Sequence, residues 1–189
     1  MTKKQRIERL KANVFSDDWE TQKWACHDLF HFGGRFNKTG RRKNRRFLVG
    51  LLGHEDPHVR NAVALLFRDS RYQPALNSLL EAIKNPANAR HNGTMAYALE
   101  KLDCSRKLGE LFEVVFGAAN NFEVLQHTLT ALDEQHFRIN NDKLHQIARR
   151  WEEVKPTWDE LNTKGKSLPG DFTQAVIQDF VDDFMAYLK

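Results

Sequence analysis

The segment GRRKNRRF, residues 40–47, places Arg41, Arg42, Lys43, Arg45 and Arg46 within eight positions. Cations at that density can neutralise phosphates and release their counterions, or meet an acidic protein surface. A second group, Cys26, His27 and His31, with His54 and His58 further along, holds metal-ligating residue types. Zinc sites need about four donors at recognisable spacing, and neither cluster has a second pair beside it. The carboxylate pairs Asp159-Glu160 and Asp182-Asp183 have no partner base for general acid–base work. No Ser or Cys stands in a nucleophile turn, and Gly33-Gly34 follows a helical pattern where a phosphate loop would follow a strand. These residues supply no catalytic set, no metal site and no cofactor site. They leave the cations at 41–46 as the candidate partner-binding surface.

The elements that must carry them are legible in the apolar spacing. The chain has 189 residues, 29% of them charged, with 41% hydrophobic residues and a mean hydropathy of −0.63, which suits one folded domain spanning 1–189. Charge is uneven: residues 1–46 hold 13 Lys/Arg against 5 Asp/Glu, whereas 47–189 hold 16 against 20. No apolar run approaches the roughly 18 residues that a membrane span needs, and the polar, periodic start MTKKQRIERLKANVF lacks a signal-peptide core. Two isolated cysteines, Cys26 and Cys104, suggest a reducing compartment, so the expected location is the cytoplasm.

Ile7, Leu10 and Val14 fall at helical spacing, and Asp17 with Glu20 reads as a capping box opening a helix that turns Trp24, Ala25, Leu29 and Phe32 inward. Gly33-Gly34 would close it in the left-handed manner. Phe47, Leu48, Leu51 and Leu52 continue the cationic stretch with the same period, so the arginines begin a helix. Asp56 caps a further helix with Pro57 at its first position, and Val59, Ala62, Val63, Leu66 and Phe67 form its stripe. The next helix starts near Pro74 and points Leu76, Leu79, Leu80 and Ile83 inward. A shift of 32 positions carries these four onto Leu108, Leu111, Phe112 and Val115, and carries Val63, Leu66 and Phe67 onto Met95, Ala98 and Leu99. A constant offset spanning two helices is an internal repeat. A looser copy has Val124, Thr128, Ala131 and Leu132, then Leu144, Ile147, Ala148 and Trp151. The repeats are expected at 17–53, 56–85, 87–117 and 120–154.

The segments DPHVRNAVALLF (56–67) and, more loosely, ANARHNGTMAYAL (87–99) resemble the units of HEAT-like repeat proteins, with an Asp-Pro start, a Val-Arg pair and an Ala-rich first helix. The resemblance covers about residues 17–154. It implies an all-α fold, a short right-handed α-solenoid of about four HEAT-like helix pairs with N-terminal and C-terminal capping helices. It also implies that Arg60 and Arg90 tie each unit to the next.

After Trp151, Pro156 and the stretch TWDEL read as a turn and NTKGKSLPGD as a linker. A C-terminal helix is then expected within 171–188, with Phe172, Val176, Phe180, Val181, Phe184 and Leu188 inward and Asp179, Asp182 and Asp183 outward. It covers the open end of the array or docks on a partner. Most Phe and Trp occupy inward positions, with Trp19 and Trp158 as the exceptions expected at the surface.

Solenoids of this family act as binding scaffolds, which makes a non-enzymatic protein-binding adaptor, or an inhibitor of the immunity-protein kind, the expected function, with an acidic protein surface as partner. The alternative is a nucleic-acid-binding module that uses 35–46 as a phosphate clamp. A DNA-glycosylase built on such repeats needs a basic cleft throughout, and the second helices offer Asn77, Ser78 and Glu81, then Gly109, Glu110 and Glu113, before Lys143, Arg149 and Arg150.

Overall fold

A computed structural model describes the backbone of residues 1–33, 38–164 and 173–188, together with their side chains apart from those of 159–164. Those residues form an all-helical protein of ten α-helices and three short 3-10 turns, without a strand. In chain order the helices are α1 (Lys3–Asn13), α2 (Trp19–His31), α3 (Lys38–Gly50), α4 (Pro57–Asp69), α5 (Leu76–Lys84), α6 (Gly93–Leu99), α7 (Leu108–Phe116), α8 (Phe122–Glu134), α9 (Asn141–Lys164) and α10 (Gln174–Met185). The helices pack in two rows. In one, α2, α4, α6 and α8 each lie against the next; in the other, the 3-10 turn that ends α3 meets α5, and α5, α7 and α9 follow.

Local signals explain the boundaries. Asp56 accepts the amide of His58 at 2.8 Å with Pro57 at the first helical position, as the sequence suggests. The cap of α2 is Asp18, not Asp17: its carboxylate accepts the Thr21 amide at 2.8 Å, and hydrogen bonding from the Thr21 side chain and amide holds its pKa below the usual carboxylate value. Gly33 follows the end of α2 at φ 111°, a conformation open to glycine and strained for other residues. Gly34 and residues 35–37 lie outside the described residues. The third unit departs from its sequence reading. Pro86–Asn88 form a 3-10 turn and α6 begins only at Gly93, because Pro86 and the Asn85 side chain, which caps the turn, set a separate short element.

The apolar stripes meet in one continuous core. Val59, Ala62, Val63, Leu66 and Phe67 are buried, as are Leu76, Leu79, Leu80 and Ile83. Their counterparts 32 residues on, Met95, Ala98, Leu99, Leu108, Leu111, Phe112 and Val115, are buried as well. Cys26 and Cys104 are free thiols inside this core, and burial pushes each up to about 12. Within the first row α6 and α8 come close together: a Cβ on Gly93 would fall 2.7 Å from Glu123 Cβ, so glycine permits the approach.

Polar side chains stitch one helix pair to the next. Arg60, 3% exposed, donates from Nη1 to the carbonyls of His54 and Glu55 at 2.6 and 2.8 Å. Arg90 does not repeat that role. It is exposed at φ 75°, and the residue 32 positions after Arg60 is Asn92, which donates to Ile83 O and accepts from Asn121 Nδ2, both at 2.8 Å. At the other ends of the helices Gln73 and Asp103 exchange two bonds: Gln73 Nε2 donates to Asp103 O at 2.7 Å, and Asp103 N donates to Gln73 Oε1 at 2.9 Å. Gln135 likewise accepts from Cys104 N and donates to Leu99 O.

The C-terminal part corrects several expectations. TWDEL is no turn, because α9 runs through Pro156 to Lys164. Proline removes one helical bond, but the fully buried Trp151 and Trp158 anchor α9 on both sides of it. Trp158 is therefore a core residue, and Trp19 is half-buried. α10 packs on α9, with Gln178 Oε1 accepting from Trp151 Nε1 and Lys155 Nζ. Its buried residues are Ile177 and Val181, whereas Val176, Phe180, Phe184 and Leu188 are half-buried and Asp179, Asp182 and Asp183 exposed. Phe172 and residues 165–171 of the expected linker lie outside the described residues. Among the described residues no helix is long and apolar enough to cross a membrane.

Candidate functional site: a cationic helix and the cleft beside it

Residues 38–50 form α3, so the five cations sit on a helix as the spacing suggests. Their environments divide by helical face. Arg42, Lys43 and Arg46 are exposed, Arg41 and Arg45 are half-buried, and Asn44, in the middle of the run, is buried. Asn44 Nδ2 donates to Leu29 O at 3.2 Å. Together with Leu48, which is fully buried, it fastens α3 to α2.

Arg45 belongs to the same junction. Its guanidinium lies 3.9 Å from the centroid of Phe30 and 5.1 Å from that of Tyr72, and Nε donates to Phe30 O at 3.4 Å. Among the described residues no carboxylate pairs with any of the five cations. Arg45 thus differs in surroundings from Arg42, Lys43 and Arg46, because two aromatic faces and a backbone carbonyl lie within its reach.

Beside α3 a cleft of about 890 Å³ opens between α2, α4 and the turn after α4. Its wall includes Trp24, His27, His31, Arg45, Arg71 and Tyr72, over a floor of Ala62, Leu65 and Leu66. Trp24, expected inward, is 65% exposed at this cleft, because the inward positions of α2 are taken by Gln22, Ala25, Cys26, Leu29 and Phe30. The rings of His27 and His31 are 4.6 Å apart. Burial holds the pKa of His31 below the ordinary imidazole value, helped by the nearby His27, Arg45 and Arg41 and opposed by Asp28. Arg71 is held at φ 47°, an uncommon conformation for a bulky residue.

The metal-ligating residue types do not converge here. Cys26 faces the core with no exposure, while His27 and His31 stand on the outer face of α2. His54 Nδ1 accepts the Asp56 amide at 3.1 Å, and His58 lies beside Trp19.

The other end of the second row is neutralised in part, since Lys143 and Arg149 on α9 are exposed without an ion pair among the described residues. Arg150 pairs with Glu113 at 3.5 Å and with Glu153 at 3.0 Å, and Lys107 pairs with Glu110 at 3.1 Å. The cleft itself was not foreseeable from helical periodicity, because it forms between helices of neighbouring pairs; an indole on a face already filled by five other residues was the available signal. Compared with protein-family models, with curated proteins and with solved structures, the chain matches none.

Proposed function

We propose that this chain is a HEAT-like right-handed solenoid that works as a non-enzymatic protein-binding scaffold or adaptor, of which an inhibitor of the immunity-protein kind is one form. Its partner presents an acidic surface to the end that carries α3. The observation behind this reading is the contrast between the two ends of the second row. Arg42, Lys43 and Arg46 are exposed within five positions and lack a carboxylate partner among the described residues, whereas at the far end Arg150 and Lys107 are occupied by Glu113, Glu153 and Glu110, which leaves Lys143 and Arg149 among those carboxylates. Unpaired, exposed cations gathered at one end steer an acidic partner to that end.

A phosphate clamp on α3 is the second reading, favoured by the same three cations. A polyanion gains affinity from each phosphate neutralised along its path, and the helices between α3 and α9 in that row carry Glu81, Glu110 and Glu113. A helix pair array with one basic end suits a compact acidic patch better.

The test replaces Arg42, Lys43 and Arg46 together with Gln and compares both proteins on heparin, on duplex and single-stranded nucleic acid, and in association with the protein recovered by affinity isolation. The expected result is slower, less salt-dependent association with that protein and no measurable nucleic-acid binding by either form. Retention of nucleic acid by the parent chain, with a log affinity–log salt slope that falls by about one unit per removed contact, would establish the clamp instead.

A further inference from the structure

The cleft between α2 and α4 differs from the outer face of α3 in having an apolar floor, an exposed indole and one cation held in place, Arg45. Two carboxylates line it, Glu20 and Asp69. Both are already engaged: Glu20 holds Lys23 at 2.8 Å and Asp69 holds Arg68 at 3.0 Å. Arg45 and Arg71 remain on the wall without an ion-pair partner among the described residues. The net character left to a ligand is cationic, with His27 and His31 between Trp24 and Arg45.

Arg45 is pre-positioned. Its stacking on Phe30 and its proximity to Tyr72 fix the guanidinium before any ligand arrives, which lowers the ordering cost of binding. Trp, Tyr and Arg are also the side chains that dominate binding energy when they line a desolvated pocket, and here Trp24, Tyr72, Arg45 and Arg71 line the cleft with Ala62, Leu65 and Leu66. An apolar floor beneath unpaired cations fits a chain segment that carries an apolar side chain flanked by carboxylates.

We infer that this cleft receives an acidic peptide segment of the protein partner, with one aromatic side chain lying against Trp24 and Leu65 and its flanking carboxylates facing Arg45, Arg71 and His31. The inference rests on the reading of the chain as a protein-binding scaffold and names the anchor of that contact. A nucleic-acid strand would use the same cations for phosphate but would find, in Ala62, Leu65 and Leu66, a floor without hydrogen-bonding side chains.

The experiment uses the full chain, labelled with 15N, and titrates three probes by NMR: a blocked hexapeptide of sequence DEFEDL, its counterpart KKFKKL, and an oligothymidylate. The expected result is a saturable shift of the Trp24 indole and of the His27, His31 and Tyr72 signals with the acidic peptide, and none with the basic one. Trp24→Ala and Arg71→Gly should each weaken the acidic peptide at least about fivefold, in keeping with loss of a central anchor. Arg71→Gly tests charge without risk to the fold, because glycine accepts φ 47° more readily than arginine.

Shifts confined to Arg42, Lys43 and Arg46, equal binding of both peptides, or no saturable shift with either would overturn the cleft assignment while leaving the scaffold reading intact. Oligothymidylate that saturates the cleft signals, with a steep salt dependence, would overturn both.

Discussion

Arg45 and Arg46 are adjacent in the chain, yet one lies across Phe30 and the other stands in water. Replacing Arg45 with Gln should therefore lower stability by about 1–2 kcal/mol, the scale of a partly desolvated cation–π contact with its packing. The Arg42, Lys43 and Arg46 to Gln variant should stay within about 0.5 kcal/mol of the parent, as exposed substitutions do. Urea unfolding of both proteins checks this, and equal losses would mean that the two faces of α3 are not distinct. The sequence could not separate these arginines, because the cue was Asn44, a buried amide hidden among five cations.

His31 gives a second outcome at this scale. Its folded pKa lies below the ordinary 6.5, so the unfolded chain binds the proton more readily. The stability owed to neutral His31 is present above about pH 6.5 and is lost as pH falls through that value towards the folded pKa. Melting temperatures from pH 8 to pH 5 should fall less steeply for His31→Gln than for the parent. An identical slope would show that the imidazole is not held neutral by its surroundings.

Among the elements, Leu79 on α5 and Leu111 on α7 are both fully buried at positions 32 apart. Truncation of either to Ala should cost about 2–5 kcal/mol, as removal of a packed leucine does, and chemical denaturation that finds a large cost at one and none at the other would show that the two positions are not equivalent in packing. This register was readable because apolar spacing alone determines which face of a helix is buried. Readings that rested on turn chemistry fared worse. Pro156 suggested a break, but Trp151 and Trp158, both buried in the tertiary core, carry α9 across it. In α10 the spacing points inward at Val176 and Val181, whereas Ile177 and Val181 are the buried pair, since a short helix rich in apolar residues has more than one apolar face. The same spacing points Trp24 inward, and the cleft lies where Trp24 is instead exposed.

At the scale of the whole molecule, charge and stitching are distributed differently. The excess of positive charge belongs to residues 1–46, whereas the side-chain bonds that tie neighbouring segments run from Arg60 through Gln73, Asn92, Asn121 and Gln135. The proposed binding end and the most heavily tied segment therefore coincide only at α4. Those ties give the molecule a mechanical grain. A load applied through the two termini would reach α1, which has no buried residue of its own, and α10, which has two, before it reached helices joined at both rims by paired amides. In an optical trap the first extensions should release the ends in small steps at low force. The stretch from α4 to α8 should then give way in one larger event, because neither rim offers a seam along which one pair can peel from the next.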